Sequence, residues 1–162
     1  MGDLSSALQA IMPQGDTKMP DDVKTGVQRH YMPVSGGDAA GDQYDLALMV
    51  CQSDIELVGL EFIPARDLTA SDTNNATLDP VKGNDAAGAT TRVATPRNTR
   101  ATAGGTGTFT GSWSKRSKIT WTPNTDGTHK LTKDQVLYVL VTKGGTGVAL
   151  PEGVWVVKYI YQ

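Results

Sequence analysis

The residue types that bind metals are few in this chain and are spread along it. Its two histidines, His30 and His129, are far apart, and Cys51 is the only cysteine. A zinc site needs several such ligands together, and a lone thiol commonly packs as a small hydrophobic residue. The polar loop from Asp67 to Asn75 offers oxygen ligands without the spacing of a known calcium loop. We therefore expect no metal site and no cofactor.

Residues for acid–base or nucleophilic catalysis are equally sparse. The chain has three glutamates among its 17 acidic residues, and most of the remaining 14, the aspartates, fall in predicted turns rather than in a facing pair. No serine occupies a Gly-x-Ser-x-Gly nucleophile elbow. These patterns predict that the protein is not an enzyme.

A glycine-rich segment, Lys143-Gly144-Gly145-Thr146-Gly147, invites comparison with a phosphate-binding loop. That loop needs Gly, four residues and then Gly-Lys-Ser/Thr at the start of a helix. Here the lysine precedes the glycines and an apolar strand follows. The segment therefore predicts a sharp connection between two strands, where glycine tolerates positive φ.

One stretch of the chain is basic although the net charge is only −2. No acidic residue lies between Asp85 and Asp126, a stretch that holds Arg92, Arg97, Arg100, Lys115, Arg116 and Lys118. This stretch is either a solvated hairpin or a basic patch that meets an acidic partner surface. It contains no recognised nucleic-acid-binding module, and no apolar run approaches the ~20 residues that span a bilayer. We expect neither nucleic acid nor membrane as a partner.

The most strongly patterned elements are two C-terminal strands, 136–142 and 154–161. Both are rich in β-branched and aromatic residues. Successive strand residues point to opposite faces, and here both faces of each strand are apolar. Since a solvated sheet normally alternates apolar and polar residues, we expect a cover on both sides. One is the core, and the other is a second layer, an arm or another subunit, of which we favour the subunit. The residues predicted at that interface are Tyr138, Leu140, Trp155 and Tyr159.

Further strands are predicted upstream, separated by turn residues. They are 44–50, 55–63, 77–81, 90–94 and a hairpin of 107–114 with 118–122. About eight short strands with frequent turns indicate an all-β sandwich or barrel. We assign residues 42–162 to this domain, and the single cysteine excludes an internal disulfide.

Residues 1–41 are predicted to form an extended N-terminal arm. Leu4, Leu8 and Ile11 have helical spacing and could form a short helix that Pro13 ends. Such a helix is too short to be stable alone, so it packs either on its own domain or on a neighbour. A short strand could also lie within residues 28–32.

The C-terminal third resembles a known family. The segments that carry the resemblance are, in order, Leu131-Thr132-Lys133-Asp134, an apolar strand, Thr142 to Gly147, Ala149-Leu150-Pro151 and a final aromatic strand. Together they resemble the head decoration, cement and head-fibre proteins of tailed bacteriophages. Val58 to Pro64 agrees with this resemblance, which spans about 55–161 apart from 90–121. It implies a jelly-roll-like antiparallel β-sandwich, a trimer and a capsid-binding role, and it transfers no catalytic residue.

The leading hypothesis is a structural virion protein, assembled in the host cytoplasm, that decorates the outside of a phage head. Its expected partners are the major capsid protein and further copies of itself in a homotrimer, with Leu4, Leu8 and Ile11 contacting the capsid. Deletion of residues 1–40 is then expected to leave a folded oligomer that no longer binds heads. The alternative is a carbohydrate-binding or adhesin module in which Trp113, Trp121 and Tyr31 stack on sugars. A hydrolase would need a cleft of paired carboxylates, for which the sequence offers no candidate.

Overall fold

A computed structural model describes residues 26–37, 44–84, 90–102, 108–109 and 111–162, with 108–109 described by their backbone alone. These residues form β-strands and no helix. The strands are β1 Gln28–Val34, β2 Tyr44–Val50, β3 Ile55–Pro64, β4 Asn75–Gly83, β5 Thr90–Arg92, β6 Arg97–Asn98, β7 Thr108–Phe109, β8 Ile119–Trp121, β9 Lys130–Leu131, β10 Val136–Gly144 and β11 Gly153–Tyr161.

The strands form two sheets that pack face to face as a sandwich. Sheet A has the order β1-β11-β3-β8, with β9 also paired to β3. Sheet B has the order β2-β10-β4-β6-β7, with β5 also paired to β4. Neighbouring strands are antiparallel except for the parallel pair β6 and β7. The predicted all-β sandwich is therefore confirmed.

The strand order is that of a jelly roll. Each sheet has four principal strands: β1, β11, β3 and β8 in sheet A, and β2, β10, β4 and β6 in sheet B. Numbered along the chain, these eight strands run 1-8-3-6 in one sheet and 2-7-4-5 in the other. The chain thus passes repeatedly from sheet to sheet, as in a double-sheet jelly roll.

The two strands with the strongest apolar pattern occupy the middle of opposite sheets. β10 pairs with β4 from Val136 opposite Gly83 to Gly144 opposite Asn75. β11 pairs with β3 from Gly153 opposite Pro64 to Tyr161 opposite Ile55. A central strand is flanked on both sides, which explains why β-branched residues dominate both segments.

An aromatic cluster fills the space between the sheets. The ring of Trp155 lies 4.9 Å from that of Trp121 and 5.1 Å from that of Phe62, whose ring is in turn 5.6 Å from that of Trp113. All four side chains are at most 2% exposed. Ring pairs at these separations add to the stabilisation from apolar burial.

The sandwich begins earlier in the chain than predicted. All seven residues of β1 pair with β11, from Gln28 opposite Tyr159 to Val34 opposite Gly153. The short strand suspected at 28–32 is therefore present and longer. The boundary placed between residues 41 and 42 falls after a strand of sheet A, so a deletion of residues 1–40 removes part of the fold. The predicted helix with Leu4, Leu8 and Ile11 lies outside the described residues.

The hairpin predicted from 107–114 and 118–122 is wrong. β7 belongs to sheet B, where it pairs with β6, whereas β8 belongs to sheet A, where it pairs with β3. Between them the backbones of Trp113 and Leu68 exchange hydrogen bonds of 2.8 and 2.9 Å. Apolar alternation shows which side chains are buried, but not which strand supplies the hydrogen bonds.

The glycine-rich segment after β10 makes the predicted sharp connection. Gly145 and Gly147 have φ values of 63° and 75°. The Thr146 amide and hydroxyl donate to Asn74 Oδ1 at 3.1 and 2.9 Å. The segment is thus held against the start of β4.

No helix in the described part of the chain is long and apolar enough to cross a membrane.

We predict that Gly145→Ala is more destabilising than Gly127→Ala. Both glycines have positive φ, at 63° and 89°, so each alanine incurs about 1–2 kcal/mol from the left-handed conformation. A Cβ at residue 145 would also overlap the carbonyl oxygen of Thr73, whereas nothing lies within 4 Å of one at residue 127. That overlap adds roughly 1–3 kcal/mol. Urea unfolding measures the difference, and equal losses would contradict the close contact with Thr73.

Candidate interaction surface

The side chains of β10 alternate between the core and the outside of sheet B. Leu137, Val139 and Val141 point inward and are at most 1% exposed. Tyr138 and Leu140 point outward and are half-buried. Both faces of this strand are apolar, as its sequence indicates, and its outer face lies on the surface of the sandwich.

Neighbouring strands extend the outward apolar set. Val136 lies beside Val50 of β2, while Tyr138 lies between Ala47 of β2 and Val81 of β4. Paired residues of adjacent strands project to the same side of a sheet. We call this set the sheet B face: Ala47, Val50, Val81, Val136, Tyr138 and Leu140.

Charged residues border the sheet B face at the Leu140 row. Leu140 lies between Asp45 of β2 and Asp79 of β4. The Arg92 guanidinium donates to both carboxylate oxygens of Asp79, at 2.8 Å from Nε and 2.5 Å from Nη2. These hydrogen bonds raise the pKa of Arg92. Asp45 is exposed and has no ion pair among the described residues. The face therefore combines an apolar centre with a free carboxylate at its border.

The outer face of sheet A is organised by an ion pair instead. Glu61 of β3 is 7% exposed, and its carboxylate lies 2.5 Å from Lys158 Nζ of β11. Lys118 Nζ lies 3.6 Å from the same oxygen. The hydrogen bond from Lys158 is the main reason that the pKa of Glu61 is lowered, although burial opposes the shift.

One outer apolar residue of β11, Val156, is covered within its own sheet. Val156 lies between Tyr31 of β1 and Glu61 of β3 and is only 3% exposed. Long side chains thus bury it without a second layer, because their stems cover apolar surface. The expected covering layer is therefore unnecessary at Val156, whereas the other outer apolar residues of β11, Val154 and Ile160, are half-buried.

The four residues predicted at a subunit interface do not lie together. Tyr138 and Leu140 belong to the sheet B face. Trp155 is 1% exposed and packs in its own core, so a partner cannot reach it. Tyr159 packs against the core edge, with its ring 5.6 Å from that of Tyr161. Burial first, and then the hydrogen bond with Tyr161, raises the pKa of Tyr159 to about 12.

The sequence does not predict that Ala47, Val50, Val81 and Val136 share the outer face of sheet B with Tyr138. All four residues do lie on strands that the sequence predicts. What it lacks is the register that aligns β2 and β4 with β10. A bulge between Leu137 and Tyr138 shifts the pairing with β2 by one residue.

Candidate ligands and catalytic groups are dispersed. His129 Nε2 lies 3.2 Å from Glu56, and Cys51 is fully buried, which raises the pKa of its thiol to about 11. In the polar loop, Asp67 accepts the amide of Lys115 at 2.6 Å and Asp72 accepts that of Thr102 at 2.9 Å. Within the part of the chain that the structure describes, no three His, Cys, Asp or Glu residues are grouped as metal ligands.

The predicted sugar-stacking residues have different environments. Trp113 and Trp121 are 2% and 1% exposed in the core, whereas Tyr31 is 58% exposed. The two tryptophans therefore cannot stack on a sugar in this fold.

Comparisons of the chain with models of protein families, with curated proteins and with solved structures return no match.

We predict that Glu61→Gln lowers the free energy of unfolding at pH 7 by about 2 kcal/mol, the order expected for a hydrogen bond to a charged group. The matched control is Glu152→Gln, because Glu152 lies 3.6 Å from Arg66 in a pair whose side chains are more than half exposed. Exposed pairs of this kind contribute little, so this variant should match the wild type.

The pH dependence of the Glu61 effect follows from the lowered pKa. The Glu61 carboxylate contributes its full stabilisation above the pKa of glutamate in the unfolded chain, about 4.3. This stabilisation is lost as the pH falls through the lower pKa of Glu61 in the folded protein. Wild type and Glu61→Gln should therefore converge in stability between about pH 5 and pH 2, as measured by urea unfolding. A constant difference down to pH 2 would show that the charge of Glu61 is not responsible.

Proposed function

We propose that the protein is a structural virion protein that decorates and stabilises the outside of a bacteriophage head as a homotrimer. Its partners in this proposal are the major capsid protein and further copies of itself. The observation that carries the proposal is the sheet B face, an apolar surface with no covering layer among the described residues. The resemblance of the C-terminal segments to head decoration proteins supports the same function.

We infer that the sheet B face is the contact between copies. Four residues of this face are exposed or half-buried, namely Ala47, Val50, Tyr138 and Leu140, while Val81 and Val136 are buried. An exposed apolar patch commonly marks an interaction site. The centre of this face contains no charge, and Tyr138 supplies the kind of aromatic anchor that is enriched at interfaces. Association would cover Val50, which is 51% exposed.

The capsid contact is assigned to the N-terminal segment, with Leu4, Leu8 and Ile11 as its apolar residues. A protein that binds only the assembled, expanded lattice stabilises that lattice by mass action. A trimer presents three such segments, so weak contacts reinforce one another through a high effective concentration.

Sugar binding is the weaker proposal, since Tyr31 alone of the three proposed stacking residues is exposed. A single aromatic ring offers one stacking position and no row of them.

We predict that Val50→Glu dissociates the oligomer and that Val58→Glu does not. Both valines are exposed, at 51% and 41%, but Val50 lies on sheet B and Val58 on sheet A. A carboxylate buried in an apolar contact without a partner is strongly unfavourable, whereas an exposed one changes folding stability by roughly 0.5 kcal/mol or less. Light scattering should give the trimer mass for wild type and Val58→Glu, and the monomer mass for Val50→Glu. Equal masses for the two variants would exclude the sheet B face as the contact.

We predict that deletion of residues 1–25 abolishes binding to expanded heads but leaves the trimer folded. This deletion keeps β1, which begins at Gln28. Co-sedimentation with heads measures binding, and thermal unfolding measures stability. Deletion of residues 1–40 serves as the contrast, because it also removes the pairing of β1 with β11 and should destabilise the sandwich. If the variant that lacks residues 1–25 binds heads with wild-type affinity, the residues that contact the capsid lie elsewhere in the chain.

A further inference from the structure

A polar hollow lies at the edge of the sandwich where β6 and β8 approach each other, far from the β1 and β2 edges. Its volume is about 460 Å³ and it is open to solvent. Among the residues that the structure describes, no acidic side chain lines it. The lining residues are Arg97, Ser112, Trp113, Ser114, Ser117, Lys118, Ile119 and Thr120.

Arg97 is held in this hollow by the fold. It pairs with the core residue Leu78 of β4, so its side chain projects to the inner side of sheet B. Its guanidinium carbon lies 5.8 Å from the ring centroid of Trp121, a cation–π arrangement. Burial lowers the pKa of Arg97.

Arg97 has no acidic partner among the described residues. In the same basic stretch, Arg92 binds Asp79 at 2.5 Å and Arg100 lies 3.7 Å from Asp72. Partial burial of a charge without a counter-charge is unfavourable, and a guanidinium carries five N–H donors. The cost at Arg97 is offset if a ligand supplies the missing acceptor.

Lys118 gives the hollow a second positive charge. Its Nζ is 3.6 Å from Glu61, but Glu61 is also bound by Lys158 at 2.5 Å. The Lys118 side chain is 60% exposed. It can therefore turn toward the hollow while Glu61 keeps its closer partner.

Hydroxyl groups complete the lining. Ser112 Oγ accepts the amide of Ala70 at 3.0 Å, so its own hydrogen remains available to an acceptor. Ser114, Ser117 and Thr120 are exposed at the rim of the hollow. The hollow thus presents donors and positive charge together, which is the chemistry that an oxyanion requires.

We propose that this hollow binds the carboxylate of an acidic side chain on a partner protein, with Arg97 as the principal donor. The guanidinium can form two parallel hydrogen bonds to a carboxylate. A nucleic-acid backbone would need a series of cations along a groove, whereas Arg97 and Lys118 are the two cations among the described residues that line the hollow. The identification of the partner as a capsid lattice rests on the proposed function, but the carboxylate site does not.

The test is an NMR titration of the full-length ¹⁵N-labelled protein at fixed ionic strength with the peptide acetyl-Gly-Asp-Glu-Gly-amide. The expected result is a saturable shift of the Arg97 Nε–H and Trp121 indole resonances. Arg97→Gln should weaken binding by about tenfold or more, whereas Arg92→Gln should bind like the wild type. The peptide with Asn and Gln in place of Asp and Glu should cause no saturable shift.

Two outcomes would overturn the proposal. One is equal binding by wild type and Arg97→Gln, provided that thermal unfolding shows the variant to be folded. The other is tighter binding of inorganic phosphate than of the peptide at the same resonances, which would identify a phosphate site. If Arg97→Gln does not fold, Arg97→Lys keeps the charge without the two-pronged donor, and undiminished peptide binding by it counts against the proposal. Because no heads are used, the result is independent of head decoration.

Discussion

The packing of aromatic rings from sheet A against branched side chains from sheet B is the interaction on which the rest of the structure depends. Trp155, Trp121 and Phe62 come from three adjacent strands of sheet A, and their rings lie within 4.9–5.1 Å of Trp155. Sheet B supplies Leu137, Val139 and Val141, which are buried completely or nearly so. Successive residues of a strand point to opposite sides of its sheet. Because these residues point into the core, the residues between them must lie on the outer faces of the two sheets.

The two outer faces meet this constraint differently. On sheet A, the pair of Glu61 and Lys158 forms across the strands, and Tyr31 covers the apolar surface beside it. On sheet B, Val81 and Val136 are likewise buried, whereas Ala47 and Val50 of β2 are exposed and Tyr138 and Leu140 are half-buried. The charged pair of Asp79 and Arg92 lies at the border and not over the centre. A contact through sheet B therefore removes apolar area from water without desolvating an ion pair, whereas a contact through sheet A would have to bury Glu61 and its lysines.

The sequence predicts the strands of the fold better than it predicts which residues lie together on the outer surfaces. Alternation and β-branched content located β2, β3, β10 and β11, because these signals are local. Strand pairing is not local, and so the sequence predicts a hairpin of 107–114 with 118–122, although β7 belongs to sheet B, β8 belongs to sheet A and Trp113 bridges to Leu68 instead. The same limit applies to Trp155 and Tyr138: both lie on strands that are apolar on two sides, and only the packing of the sheets shows that Trp155 faces the core. The sequence does not predict β1 as part of the domain, because its residues include several polar ones and a proline. β1 is held in the sheet by its pairing with β11.

The jelly-roll order also separates the surfaces on which the two proposals rest. The sheet B face is centred on β10 and looks outward, whereas the Arg97 hollow opens at the far edge, between β6 and β8. β4 alone lies next to both, through Val81 on its outer side and Leu78 on its inner side. Occupation of one surface therefore leaves the other open, and a copy held by its neighbours through sheet B still presents Arg97. In such an assembly each copy contributes one carboxylate contact, and contacts that are individually weak reinforce one another because the copies are linked.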